Sequence, residues 1–138
     1  MASKIFVDSD TLLDFLLDRS PFADYSQSLI SKGLQGTMDL CTSTLILANV
    51  HYLVSKNINR HAAQIAIKEI LTFAKILAFD EGHVKAALDS GHVDFEDTIQ
   101  FYIAFTNQCD LIISRNIKHY KKFDIPVLTA EQFLRTIL

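Results

Sequence analysis

The chain is short of several things, and each scarcity narrows what it can be. Its two cysteines, Cys41 and Cys109, each sit inside an apolar stretch, so both read as small buried hydrophobes rather than parts of a disulfide framework or a zinc site. No uninterrupted apolar segment reaches the roughly 18–20 residues that a spanning helix needs, and the N-terminus lacks a basic stretch followed by the apolar core of a secretory signal. A soluble protein of the reduced cytoplasm, without a membrane partner, is the expectation. Charge of one sign is also scarce. A formal net charge of −3 and a pI near 5.9 exclude a surface coated in basic residues, although a local basic patch can still hold an anionic polymer. Linkers, internal repeats and low-complexity tracts are absent as well. With 138 residues, 49% of them apolar, residues 1–138 can bury one sizeable core and are too few for two.

What is present is an alternation of short β-rich runs with longer stretches of helical period, which predicts an α/β fold with a parallel sheet and helices on its faces. Lys4 to Val7 is the first strand. Asp10 is expected to cap a helix carrying Leu12, Leu13, Leu16 and Leu17. Ser20-Pro21 starts the next helix, which Gly33 and Gly36 end. Met38 to Thr42 is the second strand, and Ser43 or Thr44 caps a helix with Leu45, Leu47, Ala48, Tyr52 and Leu53 that stops at Asn57-Ile58-Asn59. Arg60 to Ala74 reads as a helix, Lys75 to Phe79 as the third strand, and Glu81 to Asp89 as another helix, closed by Gly91. Asp94 to Gln108 is a strongly apolar helix, Leu111 to Ser114 the fourth strand, Pro126 to Thr129 the fifth, and Ala130 to Leu138 the terminal helix.

Two groups of acids stand out against this pattern. Asp8 ends the first apolar run, where ligands gather in open α/β sheets, and Asp94, Glu96 and Asp97 follow about ninety residues later at the start of a helix. Together they suggest a divalent-metal site. Capping offers a plainer reading of the second group, since acids in a first turn favour the helix dipole by roughly 0.3–1 kcal/mol. Asp8 resists such an explanation, because a charge at the end of a buried run is costly unless paired or bound to a metal. Asn49 shares a helical face with Leu45, Tyr52 and Leu53, so it is either a core asparagine bonded to backbone or a member of the acid site. Asp10 and Asp14 read as a cap and a solvated helix acid. The five histidines form no zinc-ligand pattern, and His119 alone is set in a basic stretch, Arg115-Asn116-Ile117-Lys118-His119-Tyr120-Lys121-Lys122, able to grip an RNA backbone or to stand as a solvated loop.

The segments FVDSDTLLDFLL, TSTLILANVHYLV, DFEDTIQFYIA and LIISRNIKHY occur in the order found in PIN domains, and nearly the whole chain resembles that family, above all its VapC-type toxins and stand-alone relatives. The resemblance implies a three-layer α/β/α fold with a central parallel sheet of four to five strands, and a small metal-dependent ribonuclease with acids gathered at one edge. It also implies a toxin's partners: a small antitoxin whose tail blocks the site, and a second copy in a homodimer. By position, Asp8 matches the family's strand-end acid and Asp97 the acid that opens the long helix. Asn49 stands where a glutamate is usual, Asn116 where another acid is frequent, and His119 where an aspartate is frequent. Ser114 fits the small hydroxyl residue before that loop.

Two amides in place of carboxylates matter, because affinity for a hard cation such as Mg²⁺ or Mn²⁺ follows the charge of its oxygen ligands. Glu96, beside Asp97, can restore one charge. On this reading Asp8, Asp97 and Glu96 are the metal ligands, with Asp94 as an alternative to Glu96, and Asn49 and Asn116 position water or phosphate. Ser114, Arg115, Lys118 and His119 contact the RNA, whose phosphodiesters are hydrolysed. One alternative is a catalytically impaired PIN-like domain that binds RNA or protein. Another is a haloacid dehalogenase-type phosphatase, suggested by Asp8-Ser9-Asp10-Thr11 but lacking a suitably placed lysine before the later acids.

Overall fold

The computed structural model describes residues 3–137. Five strands form one parallel sheet in the order β3-β2-β1-β4-β5. β1 (Ser3–Val7) lies at its centre, paired with β2 (Met38–Ser43) on one side and β4 (Leu111–Ile113) on the other. A central strand is covered on both faces, so it must be apolar throughout rather than alternating. Ile5, Phe6 and Val7 are each 2% exposed or less, as that position demands. β3 (Ala74–Leu77) and β5 (Val127–Leu128) close the two edges.

The chain runs outward through β1, β2 and β3 and then crosses back to β4 on the far side of β1. Because parallel crossovers are right-handed, that reversal moves the helices from one face of the sheet to the other and opens a crevice beyond the carboxyl ends of β1 and β4. The first face receives α1 (Ser9–Leu16), α2 (Ala23–Leu34), α3 (Thr44–Asn57) and α4 (Arg60–Phe73), and the second α5 (Glu81–Asp89) and α6 (Phe95–Thr106). A short α7 (Ile117–Tyr120) joins β4 to β5, and α8 (Ala130–Thr136) packs on α2. Among the described residues no helix is long and apolar enough to cross a membrane.

Most helices begin where a side chain satisfies their free N–H groups. The Ser43 hydroxyl accepts from the Ile46 amide, Asn59 Oδ1 from that of Ala62, and Thr129 from that of Gln132. Asp80 and His83 satisfy each other's backbone in a capping box. Several expectations need correction. Asp8, not Asp10, caps α1, by accepting from the Ser9 amide. α2 starts at Ala23, two residues after Pro21, without a side-chain cap. β3 begins at Ala74 and ends two residues before Phe79. Gly33 does not end α2 but lies within it, where a Cβ would stand 2.6 Å from Leu40 Cδ1. The turn after the helix is made instead by Gly36, at φ +80°. α7 occupies part of the stretch expected to be loop, and the terminal helix ends at Thr136, Leu138 lying outside the described residues.

Candidate metal centre and cleft

The backbone delivers Asp8 to the crevice. Its amide donates to the Ile113 carbonyl at 2.9 Å, extending the β1–β4 ladder by one residue before the chain turns into α1. The side chain is 8% exposed. One carboxylate oxygen accepts from the Ser9 amide at 2.8 Å, and the other from the Ser114 hydroxyl at 2.9 Å. These two donors do not offset the loss of water. Burial, aided by the neighbouring Asp10 carboxylate, raises the Asp8 pKa from 3.8 to about 6 against the opposing pull of Ser9 and Ser114. The fully buried Tyr120 hydroxyl sits near Asp8 without completing a hydrogen bond of normal geometry.

The second group of acids comes from the start of α6. Asp8, Asp94, Glu96 and Asp97 border one cleft, which Ser9, Val93, Phe95, Gln100, Asn116 and His119 complete. Asp97 is half-buried and its pKa is raised, chiefly by burial, with His119 opposing. His119 Nδ1 lies 3.1 Å from Asp97 Oδ2. Glu96 Oε1 accepts a 2.7 Å hydrogen bond from Asn49 Nδ2 on α3. Asp94 pairs with Lys122, which holds its carboxyl below the usual range. Asp94 therefore makes no side-chain cap bond at α6.

The structure thus brings Asp8, Glu96, Asp97, Asn49, Asn116 and His119 to one place and removes others from it. Asn49 is not a core asparagine, because the buried face of α3 is Ile46, Val50 and Val54, while Tyr52 is 63% exposed. Ser114 is fully buried and donates to Asp8, so it orients that acid instead of meeting substrate. Arg115 is committed elsewhere. Its Nε and Nη2 bond Asp14 at 2.7 and 2.9 Å, its guanidinium stacks 4.0 Å from the Phe22 ring centroid, and its amide donates to Asp10. Asp14 is correspondingly not a solvated acid: it is 1% exposed and held between Arg115 and Arg19. Lys118 is exposed and does not border the cleft.

Gln100, Val93 and Phe95 were not expected at the site. Gln100 follows Asp97 by three residues, a spacing that puts both on one helix face, so a helical projection of α6 would have found it. The other two flank Asp94 in the loop and first turn and carry no chemical signature in sequence.

Against protein-family models, residues 4–118 match the PIN domain. The chain belongs to the PIN domain family. Among curated proteins, this PIN domain is 34% identical over 137 residues to Ribonuclease VapC1 of Aquifex aeolicus, covering 96% of the chain and 94% of the relative. Solved structures of the same fold include VapBC from Salmonella typhimurium bound to DNA (TM-score 0.70, 12% identity, 93% and 98% of the two chains). VapBC2 from Rickettsia felis, bound to a promoter DNA fragment, is similar too (0.67, 16%, 91% and 96%). So is the sarcin-ricin loop cleaving toxin VapC20 of Mycobacterium tuberculosis (0.66, 14%, 85% and 93%).

PIN domains generally use divalent metals, and the residues here can be tested for fit. Among the described residues no three His, Cys, Asp or Glu side chains are already grouped as a ligand set. The donors are nonetheless hard oxygens, and two of them, on Asp8 and Asp97, are carboxylates whose burial is not fully offset by the groups around them, His119 included. Such a pair fits Mg²⁺ or Mn²⁺ and gives a soft metal nothing to prefer. The later acids open α6 rather than follow a strand, so the phosphatase alternative falls with the family assignment.

Proposed function

We propose that this PIN domain is a divalent-metal-dependent endoribonuclease, the toxin of a toxin–antitoxin pair. The observation that carries the reading is that Asp8 and Asp97, far apart in the sequence, border one cleft at the carboxyl edge of the sheet. Asp8, Asp97 and Glu96 are the residues to hold Mg²⁺ or Mn²⁺. When bound, the cation supplies Lewis acidity and neutralises charge on a phosphodiester. The chain's own residues do the rest. Ser114 and the Ser9 amide fix the Asp8 carboxylate, Asn49 holds Glu96, and His119 steadies Asp97. Asn116, exposed at the cleft border, is free to orient water or phosphate.

Grip on RNA cannot rest on Arg115, which is bound to Asp14, nor on Lys122, which is bound to Asp94. Val93 and Phe95, 94% and 45% exposed at the border, give a nucleobase an apolar surface to stack on. The relatives' assembly with VapB proteins supports a small antitoxin as protein partner, and a reduced cytoplasm suits the two free thiols. RNA cleavage with millimolar Mn²⁺ tests the proposal. Wild-type protein cleaves and Asp8→Asn does not; equal activity in both, or none in either, rejects it.

One observation favours a second reading. Asn49 and Asn116 stand where the family has acids, and no preassembled ligand set exists among the described residues. A binding module for RNA or protein would need no more. Metal titration separates the two, since a binder keeps its RNA affinity in a chelator and gains no thermal stability from Mn²⁺.

A further inference from the structure

Gln100 is out of keeping with its surroundings. It lies on α6 in the largely buried run Thr98 to Phe101, is 2% exposed, and lines the cleft with Asp8 and Asp97. Its Oε1 accepts a hydrogen bond from Ser43 Oγ at 2.8 Å. Its Nε2 is buried and has no hydrogen-bond partner among the described residues. A buried donor left unpaired is costly, because its hydration is lost without a replacement bond.

The orientation of the amide is dictated by Ser43. That hydroxyl already accepts the Ile46 N–H at 3.0 Å as the cap of α3, so its single proton must find an acceptor, and the Gln100 oxygen is the one supplied. Turning the amide over would set its NH₂ against the hydroxyl and strand the hydroxyl proton. A helix cap thus locks the glutamine with its two N–H groups unspent. Carboxylates of Asp8, Glu96 and Asp97 share the cleft, yet none accepts from it.

A donor held this way calls for an acceptor brought by a ligand. We propose that Gln100 Nε2 donates to a non-bridging oxygen of the phosphodiester drawn into the cleft, which makes Gln100 a substrate-contacting residue that deepens the ribonuclease reading and rests on it. A neutral donor suits this wall. A lysine or arginine there would pair with the acids and compete with a cation for them, whereas an amide bonds a phosphoryl oxygen without adding charge. Preorganised donors at the usual 2.7–3.1 Å from developing charge are worth about 10²–10³-fold in kcat.

The test uses the full chain, labelled with ¹⁵N, in Mg²⁺ and titrated with dimethyl phosphate, a minimal phosphodiester. The side-chain amide signals of Gln100 should move downfield, and further than those of Asn49 and Asn116. Signals that stay still at the highest concentration overturn the proposal, whether or not other residues respond. Gln100→Glu supplies a second measurement, since it keeps the acceptor for Ser43 and replaces only the donor. Its kcat on RNA should fall by about 10²-fold, and full activity in the folded variant overturns the proposal. Failure of the parent reading looks different: wild type then cleaves no RNA while the Gln100 signals still shift.

Discussion

At Asp8 two requirements oppose each other. The fold buries the side chain, and burial favours the neutral acid, while the proposed role as a cation ligand needs the carboxylate. A folded pKa of about 6 against 3.8 means that the native state holds the proton more tightly than the unfolded chain. Metal-free stability contributed by Asp8 is therefore complete below about pH 4 and is lost as pH rises through 6, a span on the order of 3 kcal/mol. Thermal melts of the metal-free protein should show this loss between pH 4 and 7. Asp8→Asn should abolish the slope and raise metal-free stability at pH 7.5 by about 1–3 kcal/mol, while removing any gain from Mn²⁺. Asp14, by contrast, is buried with charged partners on both sides, Arg19 and Arg115. Arg115→Met leaves a 1% exposed carboxylate with Arg19 alone, and urea denaturation should record a loss of about 3 kcal/mol. That Asp8, Glu96 and Asp97 border one cleft could be read in sequence, because they stand at a strand end and a helix start, whereas His119 was marked only by the basic stretch around it. Ser114 and Arg115 were misjudged because a residue's partner across 101 residues or more leaves no local trace. Gln100 was hidden by its neutral chemistry.

Among the elements, those with strong period or continuous apolar runs were recovered nearly intact: β1, β2, β4, α3, α4, α5 and α6 lie within about two residues of the expected bounds. α7 was missed because four residues, Ile117 to Tyr120, are too few to carry a period. The sequence of α3 predicts a buried face that includes Asn49 and Tyr52, whereas the observed one is Ile46, Val50 and Val54, because in a helix so rich in Leu, Ile and Val the apolar stripe is broad enough to be placed one residue off. Gly33 is the most instructive case. Glycine inside a helix ordinarily costs roughly 0.5–1 kcal/mol relative to alanine, so Gly33→Ala would be expected to stabilise α2. A Cβ there meets Leu40 Cδ1 at 2.6 Å and Cγ at 2.8 Å, and Leu40 is 3% exposed in the core. Overpacking of that kind typically costs about 1–3 kcal/mol. Gly33→Ala should therefore lower the melting temperature, and a rise would show that Leu40 yields without cost.

At the scale of the whole molecule, a parallel α/β class was legible from the alternation of elements, but strand order was not. Pairing of β1 with both β2 and β4 depends on contacts far apart in sequence, and only family resemblance implied the PIN arrangement. The cleft gathers Asp8, Asp94, Glu96 and Asp97 on a chain of net charge −3, so bare protein should repel a polyanion. RNA affinity should rise steeply with Mn²⁺ and vanish in chelator, as measured by fluorescence anisotropy with an uncleavable 2′-O-methyl oligonucleotide. The metal should also raise thermal stability, by about 2.7 kcal/mol at a hundredfold excess over Kd. The place of β1 has one more consequence. Asp8 is made well before the residue whose hydroxyl orients it, Ser114, 106 residues further along. A nascent polypeptide that has not yet reached Ser114 lacks this donor, so the Asp8 carboxylate gains its orientation only after β4 has been made and paired with β1.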